Sequence, residues 1–166
     1  MSDQAALHSV LFVCTANQCR SPMAEALWKA LVGQHGEAEG WQIQSAGTWT
    51  EPGRPATQLA QAVLQRRNLD LSGHRSRPLD AGLLASASLV LVMTRHQRES
   101  IQIEFPEMSG KVYLLSQLID RDFDIEDPYG GSLDDYELCA ADLQGILTEG
   151  YDRLVALSNG AVSAPR

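Results

Sequence analysis

The chain has 166 residues, 44% of them apolar and 20% charged, with a formal net charge of −8. This length supports one domain with a substantial core, and no apolar run approaches the roughly 20 residues that span a membrane. The acidic balance argues against a nucleic-acid partner, whose phosphates need a basic surface, so any anionic ligand must be drawn in by local charge.

Met1, Ser2, Asp3 and Gln4 carry no basic n-region, so no signal peptide is expected and the cytoplasm is the expected compartment. The three cysteines, Cys14, Cys19 and Cys139, are an odd number. Without a secretion signal they point to a reducing compartment and reactive thiols rather than a disulfide scaffold. No Cys-x2-Cys or His-x3-His pair occurs and the histidines are scattered, so no metal is expected.

Residues 10–13 read as a buried strand, followed by a helix that runs to about residue 33. Residues 41–45 alternate as a second strand, and 47–55 hold two prolines and glycines, hence a loop. Helical spacing of Leu59, Val63 and Leu64 predicts a helix over 56–67, and Asp80 caps a short one over 80–85. An apolar run at 89–93 fits a buried parallel strand. Residues 94–105 read as a helix that stops before Pro106, and 111–115 as a fourth strand. Leu133, Tyr136, Ala140, Leu143, Leu147, Leu154 and Leu157 mark one face of a single long final helix. Alternation of strand and helix predicts an α/β chain with a parallel sheet covered on both faces. Ligands in such folds sit at the carboxyl ends of the strands.

At the end of the first strand stands Cys14-Thr15-Ala16-Asn17-Gln18-Cys19-Arg20-Ser21-Pro22. A cysteine and an arginine in one strand-to-helix turn can close a loop around a phosphate, because N–H groups at a helix N-terminus point at the anion. Arg20 adds a bidentate fork, and Cys14 sits where a helix dipole supports a thiolate able to attack phosphorus. The competing reading is a buried strand-end cysteine. Pro22 suits the first helical turn. Ser21 suits the cap, and its hydroxyl can also donate to the Cys14 sulfur.

A phosphoryl transfer through cysteine needs an acid for the leaving group and a base for water. Asp127, in Asp127-Pro128-Tyr129-Gly130-Gly131 before the final helix, is the candidate. Pro128 biases Asp127 toward an extended backbone. The competing reading is a solvated acidic loop, since Asp120, Asp122, Asp124 and Glu126 crowd the same stretch.

The loop at 14–22 and the Asp127-Pro128-Tyr129 segment, in this order, resemble the low-molecular-weight protein tyrosine phosphatase family. Met23-Ala24-Glu25-Ala26, Ser45-Ala46-Gly47, Leu89 to Thr94 and Gly130-Gly131-Ser132 are similar to bacterial members, so the likeness covers nearly the whole chain. The resemblance implies a three-layer Rossmann-like α/β fold around a central four-stranded parallel sheet. It implies one phosphatase domain over residues 1–166, with its catalytic core at about 7–158. It implies Cys14 as nucleophile, Arg20 as phosphate clamp and Asp127 as general acid and then base, with no cofactor. Thr15, Ala16, Asn17, Gln18, Cys19 and Ser21 then form the phosphate-binding loop. Asn17, whose residue type tolerates positive φ, is implied to be held by Ser45 and His74, with Ser21 in the network. For His74 alone, a surface turn histidine competes with that role.

Two loop positions depart from the family pattern. Ala16 replaces the usual glycine, and its Cβ is expected to restrict the loop or crowd a ligand. Gln18 replaces a hydrophobic residue or threonine and is expected to face the cleft. Cys19 reads as a small buried residue; by resemblance it can pair with an oxidised Cys14 and protect it. Trp49 and Tyr129 resemble aromatic walls for a phosphotyrosine ring, and Trp28 and Trp41 read as core. The expected partner is a phosphorylated protein, phosphotyrosine being favoured, and a monomer is favoured. Bacterial members that act on phosphoarginine provide an alternative, although they carry threonine where this chain has Gln18. Arsenate reduction needs relay thiols, and residues 80–95 hold no cysteine. A non-catalytic phosphate-binding protein is the remaining alternative.

Overall fold

The computed structural model describes residues 8–159. Residues 1–4, on which the signal-peptide expectation rests, and residue 7 lie outside the described residues. β1 (His8–Cys14) lies between β2 (Trp41–Gly47) and β3 (Leu89–Val92), and β4 (Val112–Leu114) forms the far edge, in the order β2-β1-β3-β4. All three pairings are parallel, with Cys14 opposite Gly47 and Val13 opposite Val92. The chain reverses its direction of winding between β1 and β3, and the loop that leaves β1 opens at that switch point.

Successive residues of a strand point to opposite faces. Val10, Phe12 and Cys14 therefore enter one core with Leu89, Leu91 and Met93, while Leu11 and Val13 enter a second with Val90, Val92 and Leu114. The first core is closed by α1 (Arg20–Gln34), α2 (Gln58–Gln65), α5 (Leu133–Glu149) and α6 (Tyr151–Ser158). The second is closed by Leu84 of α3 (Ala81–Ser86) and Ile101 of α4 (Arg95–Glu104). Burial on both faces explains the continuous apolar runs of β1 and β3. The three-layer, four-stranded parallel architecture follows. Trp28 is fully buried, whereas Trp41 is half-buried, stacked on His8 at 4.7 Å and edge-on to Trp28 at 5.3 Å.

Helix starts are fixed locally. Thr57, Asp80, Thr94 and Ser132 each accept a backbone N–H at the start of α2, α3, α4 and α5. Thr94 with Gln97, and Ser132 with Asp135, complete capping boxes. α1 differs, because Cys19 at its cap offers no side-chain bond. β2 runs two residues beyond the expected 41–45, because Ala46 and Gly47 keep pairing with Val13 and Cys14.

The single final helix expected from spacing is two helices, α5 and α6, divided at Gly150. Its apolar face persists through the bend, with Leu143, Leu147, Leu154 and Leu157 all buried. A Cβ on Gly150 would lie 2.6 Å from Leu118 Cβ and 3.0 Å from the Ile146 carbonyl oxygen, so this junction requires glycine. Gly150→Ala should therefore destabilise by about 1–3 kcal/mol through overpacking. Urea unfolding measures it; a gain of about 1 kcal/mol, as helix propensity alone would give, would contradict this account.

Candidate active site

Residues 15–19 join β1 to α1 and turn around Asn17, whose φ of 57° is left-handed. Asn17 is fully buried and every polar group it has is used. Its Nδ2 donates to Ser21 Oγ at 2.8 Å and to Ser45 Oγ at 2.9 Å. Its Oδ1 accepts from the Arg77 N–H at 3.0 Å, and its carbonyl accepts from His74 Nε2 at 2.7 Å. Its own N–H donates to Cys14 Sγ at 3.3 Å. Ser45 and His74 thus meet Asn17 as expected, and Ser21 joins them. Because Ser21 Oγ accepts from Asn17, its hydroxyl proton is free for Cys14 Sγ, 3.0 Å away.

Gly47 allows the 47–49 segment to run against the loop. A Cβ there would stand 2.6 Å from the Thr15 carbonyl oxygen. The Thr48 N–H donates to the Cys14 carbonyl at 2.9 Å, and the Trp49 N–H to the Thr15 carbonyl at 3.0 Å. Ala16 is absent from the residues of positive φ, so its Cβ fits the loop without backbone strain. Gln18 lines the cleft and is anchored, its Nε2 donating to the Pro55 carbonyl at 3.1 Å. Cys19 Sγ lies 3.4 Å from Tyr136 Oη and 3.5 Å from Thr57 Oγ1, and all three cysteines are free thiols.

Arg20 is buried at the first turn of α1. Its Nη1 donates to the Ile125 carbonyl at 2.9 Å, and its Nη2 lies 3.4 Å from Asp127 Oδ2. Its Nε is buried with no acceptor among the described residues. Asp127 is half-exposed, and its Oδ1 accepts the Tyr129 N–H at 3.1 Å. Three of the four crowding acids are drawn elsewhere: Asp120 pairs with Arg153, and Asp122 and Asp124 with Arg95. Asp127 itself lies against the Arg20 guanidinium.

Cys14, Thr15, Ala16, Gln18, Cys19, Arg20, Asp127 and Tyr129 enclose one pocket of about 110 Å³. A larger cleft of about 570 Å³ behind the Asp127 loop is lined by Asp124, Glu126, Asp127, Asp135 and Asp142, which repel anions. An anion is thus directed to the smaller pocket, where an uncapped helix N-terminus and Arg20 converge. Trp49 is the misplaced expectation. It is 84% exposed and lines a neighbouring open groove with Ala16, Gln18 and Arg54, so only Tyr129 forms an aromatic wall of the pocket itself.

Two braces were invisible to side-chain reasoning. The Arg77 contact uses a backbone N–H, which any residue supplies. Gln97 reaches Thr15 Oγ1 at 3.0 Å, and the Thr94-x2-Gln97 pattern signals only its capping role. Among the described residues no group of His, Cys, Asp and Glu could hold a metal ion, and no helix is long and apolar enough to cross a membrane.

This site and fold place the chain in a known class: it belongs to the low molecular weight phosphotyrosine protein phosphatase family, whose model matches residues 9–159. It is 38% identical to a Bacillus subtilis protein named protein-arginine-phosphatase, covering 84% of this chain and 92% of the other. It is 36% identical to a Ralstonia nicotianae probable low molecular weight protein-tyrosine-phosphatase, covering 79% and 85%. The crystal structure of a low molecular weight protein tyrosine phosphatase from T. tengcongensis superposes with a TM-score of 0.83 at 35% identity, covering 88% of this chain and 99% of the other.

The thiols differ in their surroundings. Burial pushes the Cys139 thiol up to about 12 and raises that of Cys19, so burial disfavours the reactive thiolate at both. Limited iodoacetamide treatment at pH 8 should therefore label Cys14 first, and phosphate should slow that labelling. Peptide mass mapping checks this; comparable labelling of Cys19 or Cys139 would contradict it.

Proposed function

We propose that the chain is a cysteine-dependent protein tyrosine phosphatase, one domain that hydrolyses phosphotyrosine through a phosphocysteine intermediate. The observation that carries this reading is the buried Arg20 Nε, which has no acceptor among the described residues, in a pocket shared with Cys14 and Asp127. A phosphate dianion supplies the acceptor that this donor lacks.

The proposed chemistry follows from these positions. Arg20 and the loop N–H groups hold the non-bridging oxygens. The Cys14 thiolate attacks phosphorus; the S–P bond forms as the P–O bond to the tyrosine breaks. Protonated Asp127, on the opposite wall, gives its proton to the departing phenolate. In the second half Asp127 takes a proton from water, water attacks phosphorus, and the S–P bond breaks. The Ser21 hydroxyl and the Asn17 N–H, at 3.0 and 3.3 Å from Sγ, stabilise the thiolate that leaves. Free thiols, one of which must remain a thiolate, suit a reducing cytoplasm, and the partner is a phosphorylated protein. Cys139, buried in α5, gives arsenate reduction no mobile relay thiol.

Phosphoarginine is the second reading. It is favoured by the likeness to the Bacillus subtilis protein-arginine-phosphatase and by the pocket itself. Asp127 is a half-exposed carboxylate at the mouth, suited to pair with a guanidinium, and a single aromatic wall grips a phenyl ring from one side only.

Measuring kcat/KM for a phosphotyrosine and a phosphoarginine peptide side by side, with Cys14→Ser as the blank, separates the readings. A phosphotyrosine preference is expected; a phosphoarginine preference selects the second reading, and no Cys14-dependent turnover of either removes both. Asp127→Asn should lower kcat by roughly 10²–10⁴-fold for phenyl phosphate and far less for p-nitrophenyl phosphate, whose leaving group needs little protonation. Equal loss on both would show that Asp127 is not the acid.

A further inference from the structure

We propose that Gln97 is a positioning residue that fixes the nucleophile and the phosphate clamp on one frame, an inference that rests on the reading of Cys14 and Arg20 above. Gln97 lies in the first turn of α4, is 4% exposed and spends its whole amide on three contacts. Its Oε1 accepts two N–H groups at the end of β3, from Met93 at 2.9 Å and Thr94 at 3.1 Å. Two donors facing one oxygen settle the orientation of the amide, since a flipped Nε2 would be left against them. Nε2 must then point the other way, and it donates to Thr15 Oγ1 at 3.0 Å. Thr15 directly follows Cys14.

The same strand end also carries the clamp. The Met93 carbonyl accepts the Ile125 N–H at 2.9 Å, and the Ile125 carbonyl accepts Arg20 Nη1 at 2.9 Å. One glutamine thus sets Met93 on one side and Thr15 on the other. Cys14 and Arg20, which sit at opposite ends of the 15–19 turn, acquire a common reference outside that turn. A helix cap alone requires only the bonds within the Thr94–Gln97 box; the reach to Thr15 exceeds it. Misplacement of reacting groups by about 1 Å costs up to 10²-fold in rate, so a loosened loop should be read in kcat.

The test uses Gln97→Met, Gln97→Glu, Thr15→Val and the double variant Gln97→Met/Thr15→Val in the full chain. Gln97→Met should lower kcat on p-nitrophenyl phosphate at least about tenfold and weaken inorganic phosphate, measured by calorimetry, several-fold. Thr15→Val should give a similar loss, and adding Gln97→Met to it should cost little more in kcat. Gln97→Glu keeps the acceptor for Met93 and Thr94 but brings a negative charge behind the anion loop. It should retain the melting temperature and weaken phosphate more than Gln97→Met does, most of all at low salt. Wild-type kcat and phosphate affinity in folded Gln97→Met or Gln97→Glu would overturn the proposal. So would fully multiplicative kcat losses in the double variant, the mark of two residues acting independently. If the wild type binds phosphate but turns nothing over, the phosphatase reading fails, and the phosphate affinities still decide the role of Gln97.

Discussion

A single buried asparagine in a left-handed turn is the constraint on which the site depends. Positive φ is costly for most side-chain-bearing residues, and here it is offset by five hydrogen bonds that use every polar group of Asn17. Those bonds reach four segments: the end of β2 through Ser45, the 74–77 turn, the first turn of α1 through Ser21, and Cys14 itself. The loop is therefore over-determined from outside. Its backbone is shaped for an anion before one arrives, which limits reorganisation during the reaction.

The electrostatics invert those of the molecule as a whole. A chain of net charge −8 gathers positive potential at one point by burying Arg20 under the Asp127 loop and leaving the start of α1 without a side-chain cap. A cap on α1 would have stabilised that helix by about 1 kcal/mol; its absence leaves helix N–H groups for a ligand. Asp120, Asp122 and Asp124 are tied to arginines of α4 and α6, which leaves Asp127 as the carboxylate paired with Arg20.

Much of this was legible in the chain. The apolar runs of β1 and β3, the cap at Asp80 and the stop at Pro106 are local signals, and local signals survive without tertiary knowledge. Apolar spacing predicts one long final helix because it continues through Gly150, while the close approach of Leu118 that requires glycine there is a tertiary contact. Trp49 was placed in the pocket by likeness alone, whereas its loop directs it to the adjacent groove.

The sequence by itself determined the chemistry on offer: Cys14, Arg20 and Ser21 lie within eight residues of one another, and Asp127 carries a proline and two glycines that shape its loop. Residue type and near-neighbour spacing are enough for that. Only the tertiary structure decided what holds those groups at fixed distances. The Arg77 N–H meets Asn17 across 60 residues of chain and Gln97 meets Thr15 across 82. Such contacts arise where a parallel sheet brings its strand ends together, and backbone donors and a doubly used amide leave no pattern along the chain to reveal them.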